Sequence, residues 1–144
     1  MNRKNTKVKI LVLCTGNSIR SQMAEGFFKK YRKDWHIESA GTFPVGLNSL
    51  AIEAMAESGI DISKNSSKSV SQFISSSFDL VITVCDNARK SCPVFPGDVL
   101  TRYIHWSFED PSTTTGSHEK RLDSFRNTRD LIDEKIKEFL EDYR

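Results

Sequence analysis

Apolar positions along this chain follow two alternating rhythms. Residues 8–14, Val-Lys-Ile-Leu-Val-Leu-Cys, form a short, nearly unbroken apolar run with β-branched members, the pattern of a strand covered on both faces. After a loop with Gly16 and Asn17, Met23, Phe27 and Tyr31 recur at helical spacing from Arg20 onward. Residues 35–40 read as a second strand ended by Gly41, and 49–58 as a helix with Ile52, Met55 and Ala56 on one side and Gly59 as its stop. In the serine-rich stretch 63–77, Val70, Phe73 and Ile74 predict a short helix, not a disordered linker. A third apolar strand spans 78–84 and a short fourth one 102–106, before a loop holding Asp110-Pro111. From about Lys120, Leu122, Phe125, Leu131, Ile132, Ile136, Phe139, Leu140 and Tyr143 define one apolar stripe among charges, a helix packed on a sheet.

Strands alternating with helices predict an α/β fold: a three-layer sandwich with a four-stranded parallel sheet and helices on both faces. Ligands of such sheets sit beyond the carboxyl ends of the strands. Cys14, Cys85 and Asp110 all follow predicted strands, which gathers three reactive side chains at one sheet edge.

Composition narrows the picture. At 144 residues with 38% apolar positions, one domain spanning 1–144 is expected, without repeats. Twenty-one basic residues against 19 acidic ones leave a formal charge of +2 with no long single-sign block, which argues against nucleic acid as a partner. The basic start followed by a brief apolar run is too short for a signal peptide or a membrane span, so a soluble cytoplasmic protein is expected. Three cysteines in that compartment call for chemistry or plain burial, not a disulfide framework.

The loop Cys14-Thr-Gly-Asn-Ser-Ile-Arg20-Ser21 joins strand to helix. A five-residue loop there, Thr15, Gly16, Asn17, Ser18 and Ile19, would wrap backbone N–H groups around a tetrahedral oxyanion, and the helix start adds a favourable dipole. Gly16 and Asn17 are expected to supply left-handed backbone angles. Arg20 offers a planar fork for two anion oxygens, and its positive charge at a helix amino end is out of place without an anion to bind. To attack, Cys14 has to be a thiolate, a form that Arg20, the loop amides and the Ser21 hydroxyl together favour. Cys85 and Cys92 lie seven positions apart; were the segment between them helical, its ends would be about 10.5 Å apart, whereas disulfide Cα atoms need roughly 4.4–6.8 Å. A bridge would require the segment to loop out. The spacing does not suit a zinc knuckle, and His36, His105 and His118 form no ligand pattern, so no metal is expected. Taken alone, the two cysteines are as well explained by a strand end and a loop as by a relay.

Together the motifs Cys14-Thr-Gly-Asn-Ser-Ile-Arg-Ser-Gln-Met-Ala-Glu-Gly, Glu38-Ser-Ala-Gly41, Gly59-Ile-Asp-Ile-Ser63, Cys85 through Cys92-Pro93, and His105-Trp-Ser-Phe-Glu-Asp-Pro111 span most of the chain. The chain thereby resembles the thioredoxin-coupled arsenate reductases, which share the fold of the low-molecular-weight protein tyrosine phosphatases. The resemblance implies that Cys14 attacks arsenate with support from Arg20 and Ser21, and that Asp110, restrained by Pro111, protonates the departing oxygen. It further implies that Cys85 attacks Cys14, that Cys92 then leaves a Cys85–Cys92 disulfide, and that thioredoxin reduces it. No cofactor is expected to be bound, phosphate or sulfate could occupy the arsenate loop, and a monomer is expected. Some members bind potassium beside that loop; Asn17, Glu25, Ser39 and Ser66 fit the pattern, but Lys68 stands at an acidic position, so no required potassium is expected. The alternatives are an aryl-phosphate phosphatase and a non-catalytic oxyanion sensor. Against the phosphatase stand the two extra thiols and Ser112-Thr-Thr-Thr115 where ring-clamping aromatic residues would follow the Asp-Pro pair.

Overall fold

The computed structural model describes residues 8–93, 95 and 100–143; the basic start at 1–7 lies outside them. Four parallel strands, β1 (Lys9–Cys14), β2 (His36–Gly41), β3 (Leu80–Thr83) and β4 (Arg102–His105), form a sheet in the order β2-β1-β3-β4. Cys14 pairs with Gly41 in register, and Thr83 with His105. The helices are α1 (Arg20–Tyr31), α2 (Ser49–Glu57), α3 (Asp86–Ser91) and α4 (His118–Asp142). β1 to β2 and β3 to β4 step in opposite directions across the sheet, so right-handed crossovers send α1 and α3 to opposite faces. The strand order therefore reverses at the carboxyl end of β1, where a crevice opens and where Cys14 stands.

Local chemistry explains the element ends. Asn48 caps α2 by accepting from the Leu50 and Ala51 amides at 2.8 and 3.3 Å, and Gly59, at φ +77°, lets the chain leave it. Ser117 caps α4 through the Lys120 amide at 3.1 Å, which starts that helix two residues before the expected Lys120. β1, β3 and β4 run slightly shorter than the apolar runs that announced them and β2 is shifted by one residue, although Asp79, Val84 and Trp106 at the strand ends still donate their amides to the neighbouring strand.

Residues 10–14 are buried throughout, as a central strand requires. Phe28 of α1 lies 6.2 Å from Trp35, 6.3 Å from Trp106 and 6.4 Å from Phe139 between ring centroids, which ties α1, the start of β2, the end of β4 and α4 together. The short helix expected within 63–77 is present as a 3-10 turn, Val70–Phe73, capped by Ser69; serine side chains bond locally to the backbone and compete with a longer helix. One expectation needs correction. Leu131 does not join the α4 stripe: it is 57% exposed, because Leu122, Phe125, Thr128, Ile132 and Ile136 already fill the buried face and residue 131 falls on its flank.

Candidate active site

Helix α1 begins with Ile19 as its cap residue, with no side-chain cap bond and no acidic residue in its first turn. Its first N–H groups and dipole thus face the loop that starts at Cys14, and Arg20 is its first residue. The Cys14 sulfur is buried and lies 2.8 Å from Ser21 Oγ, while the Asn17 amide donates to it at 3.2 Å. Asn17 Nδ2 donates to Ser21 Oγ at 2.8 Å and to Ser39 Oγ at 2.9 Å, so the Ser21 proton is directed at sulfur. Both contacts direct hydrogen-bond donors at the Cys14 sulfur.

The left-handed angle in this loop belongs to Asn17, at φ 47°. Gly16, expected to share that role, has no positive φ; a Cβ there would instead lie 2.9 Å from Val45 Cγ2, so its small size admits a neighbouring side chain. Gly41 is more tightly confined: a Cβ would lie 2.5 Å from the Thr15 carbonyl oxygen and 2.8 Å from the Asn17 nitrogen. Asn17 Oδ1 accepts from the Lys68 amide at 2.8 Å and from Gln22 Nε2 at 3.1 Å, and Ser67 Oγ donates to the Gly16 carbonyl at 2.8 Å. Gln22 and Ser67 were not anticipated as loop supports, since only folding brings them to the loop.

Cys14, Thr15, Gly16, Ser18, Ile19, Arg20, Phe43, Val45, Asn48, Asp110 and Ser112 line a cavity of about 330 Å³. Six of these residues, Cys14, Thr15, Gly16, Ser18, Ile19 and Arg20, come from the single segment 14–20, and Asp110 arrives from beyond β4. Arg20 Nη1 donates to the Phe108 carbonyl at 2.9 Å, and Nη2 is 3.9 Å from Asp110 Oδ2, so the guanidinium joins the loop to the Asp110 segment. Burial raises the Asp110 carboxyl, but the hydroxyl and amide of Ser112, at 2.7 and 2.9 Å, and the nearby Arg20 charge outweigh it and hold Asp110 below its ordinary range. Phe43 and Val45, 71% and 65% exposed, form an apolar rim that the sequence reading did not single out.

The Cys85 sulfur lies 3.3 Å from Thr15 Oγ1, which brings the second thiol to the anion loop. Cys85 and Cys92 are the flanking residues of α3, and all three cysteines are outside any disulfide. Cys92 is half-buried, with its sulfur 3.5 Å from the Pro93 carbonyl. Behind the loop, buried Glu25 meets Ser39 in a short hydrogen bond and Lys29 at 2.6 Å, and the Lys68 ammonium stands 4.0 Å from Glu25 and 3.8 Å from Glu38.

A family model described as low molecular weight phosphotyrosine protein phosphatase matches residues 9–144. The chain belongs to that family. Within it, an arsenate reductase of Bacillus licheniformis is 46% identical over 94% of this chain and 97% of its own length. A solved structure of an arsenate reductase in the phosphate-binding state superposes with a TM-score of 0.75 at 30% identity, covering 93% of this chain and 97% of the other. A thioredoxin-dependent arsenate reductase of Corynebacterium glutamicum superposes at 0.69 with 25% identity, over 94% of this chain and 62% of that one. The parallel sheet with its phosphatase-like layers is the fold the chain shares with these proteins. Among the described residues, no helix is long and apolar enough to cross a membrane.

Proposed function

We propose that this chain reduces arsenate to arsenite through a relay of Cys14, Cys85 and Cys92 that cytoplasmic thioredoxin regenerates. The observation that carries the reading is the placement of Cys85 sulfur 3.3 Å from Thr15 Oγ1, inside the loop that begins with Cys14, with Cys92 at the far end of a six-residue helix. A hydrolase has no use for that arrangement. Relatives named arsenate reductase, at 46% identity, and the thioredoxin-dependent structural relative support the same reading.

In the proposed sequence, the Cys14 thiolate attacks arsenic and an oxygen leaves as water, with a proton from Asp110 and the oxyanion held by the 15–19 amides and Arg20. Because Asp110 rests ionised, the proton it passes on enters with the substrate or is drawn in by the bound negative charge. Cys85 then attacks the Cys14 sulfur: an S–S bond forms, the S–As bond breaks, and its electron pair stays on arsenic, giving arsenite. Cys92 attacks Cys85, which frees Cys14 and leaves Cys85–Cys92 for thioredoxin to reduce by the same exchange chemistry. In the dithiol form the Cα atoms of that pair, seven residues apart across α3, are about 10.5 Å from one another by helix rise, so α3 has to unwind.

The test is NADPH consumption with arsenate, thioredoxin and thioredoxin reductase, on the parent and on Cys14→Ser, Cys85→Ser and Cys92→Ser. Every serine variant is expected to lose turnover, while Cys92→Ser still releases one arsenite per chain. Efficient aryl-phosphate hydrolysis by a parent that consumes no NADPH would replace this reading with a phosphatase. One observation favours a side activity of that kind: exposed Phe43 at the cavity rim gives an aryl group a face to stack on.

A further inference from the structure

His105 uses both ring nitrogens on groups adjoining the second thiol. Its Nδ1 lies 2.8 Å from Thr83 Oγ1 and its Nε2 lies 3.0 Å from Asp86 Oδ1. Thr83 and His105 are register partners on β3 and β4, so the imidazole is anchored on the sheet, and the Thr83 side of the contact is buried. With Nε2–H donating to the carboxylate, Nδ1 is left to accept the Thr83 hydroxyl proton, and each group has a role that suits its chemistry.

Asp86 is the first residue of α3 and follows Cys85 directly. That helix has six residues and no side-chain cap bond from Cys85, and so short a helix is marginal by itself. Its first turn rests on the Arg89 amide donating to the Cys85 carbonyl at 3.1 Å, on the acidic Asp86 at the positive end of the dipole, and on His105 holding that acid to the sheet. Closing a Cys85–Cys92 bond removes the helical spacing on which the Asp86 position depends.

We propose that the His105–Asp86 contact, made between the sheet and the first turn of α3, is specific to the dithiol form, so that His105 acts as a positioning residue that raises the reduction potential of the Cys85–Cys92 pair. The inference rests on the relay reading above. Its consequence is functional: a tether that favours the helical dithiol makes the disulfide easier for thioredoxin to reduce and draws the spent chain back to the attacking state.

The test uses the full chain in a Cys14→Ser background, where Cys85–Cys92 is the only pair that can close within one molecule. The dithiol is equilibrated with oxidised and reduced dithiothreitol; closure releases two electrons and two protons, which convert the oxidised reagent to its dithiol. The disulfide fraction is read by thiol alkylation and mass. His105→Phe keeps ring bulk without the hydrogen bonds, and Asp86→Asn, at an exposed position, removes the charge with little risk to folding. Each is expected to shift the equilibrium about tenfold toward the disulfide, roughly 30 mV more negative, and the double variant no further than either single one. Loss of the buried Thr83 partner acts on both redox forms and cancels from the potential. A change below about twofold in either variant, a shift toward the dithiol, or singles that simply add in the double variant overturns the proposal. If the Cys14→Ser chain forms no Cys85–Cys92 disulfide, the relay itself fails and this inference falls with it.

Discussion

Around Cys14, individual residues matter by size as much as by polarity. Gly41 meets only backbone of the anion loop, at 2.5 Å from the Thr15 carbonyl oxygen and 2.8 Å from the Asn17 nitrogen, whereas Gly16 meets the tip of an exposed valine. The Thr15–Asn17 backbone against Gly41 cannot give way without moving the loop amides, while Val45 can rotate. Gly41→Ala is therefore expected to lower kcat/KM for arsenate by about a hundredfold or more, as misplacement by a fraction of an ångström to one ångström does. Gly16→Ala should cost less than about tenfold, since only a side chain has to yield. Equal losses in the two variants would contradict this assignment of Gly41. Neither distinction could be made from the letters: both glycines follow or end a strand, and only the folded chain shows which one abuts the main chain. Asn17 was legible as the left-handed position because its side chain tolerates that angle, whereas the same role for Gly16 was not realised.

Helices α1, α2, α3 and α4 differ in how their ends are satisfied, and function follows the difference. α2 and α4 carry side-chain caps, whereas α1 and α3 start without them, at Ile19 and Cys85, beside the two buried thiols. Between the capped helices, Glu57 at the end of α2 accepts Arg126 Nε and Nη2 at 2.9 and 2.7 Å and Arg129 Nη1 at 2.9 Å from α4. Arg126 first, and Arg129 after the opposing effect of burial, pull the Glu57 carboxyl from 4.5 to about 2. Because the folded value is the lower one, the stabilisation is complete above the unfolded value and is lost as pH falls toward the folded one. Glu57→Gln should accordingly melt below the parent at pH 7, with the gap in Tm narrowing below about pH 4.5 and closing near pH 2. A gap as wide at pH 2.5 as at pH 7 would mean that Glu57 contributes through packing and not through its charge. Periodicity announced both helices; the pairing of their charges depends on their mutual approach, which no local pattern contains.

At the scale of the whole molecule, the back of the anion loop is assembled from three distant segments: Glu25 on α1, Glu38 and Ser39 on β2, and Lys68 on the stretch before β3. The Lys68 ammonium stands between two carboxylates, the place a monovalent cation would take. We expect arsenate turnover to be the same, within about twofold, with potassium or sodium as the only cation, the covalently attached charge leaving no need for a mobile one. Strong potassium dependence would refute that.

Alternating apolar runs and helical stripes, together with the Cys14-to-Ser21 loop, determined from the sequence alone the layered fold, the sheet edge that holds the candidate site and the identity of the candidate nucleophile. These follow from short apolar runs, from the 3.6-residue helical period and from local loop chemistry, all properties of neighbours along the chain. Folding alone decided that Thr15 meets Cys85, that Gly41 buttresses the loop, that Leu131 stays outside the core and that His105 reaches Asp86, because each is a contact between segments joined only by the tertiary packing of the sheet.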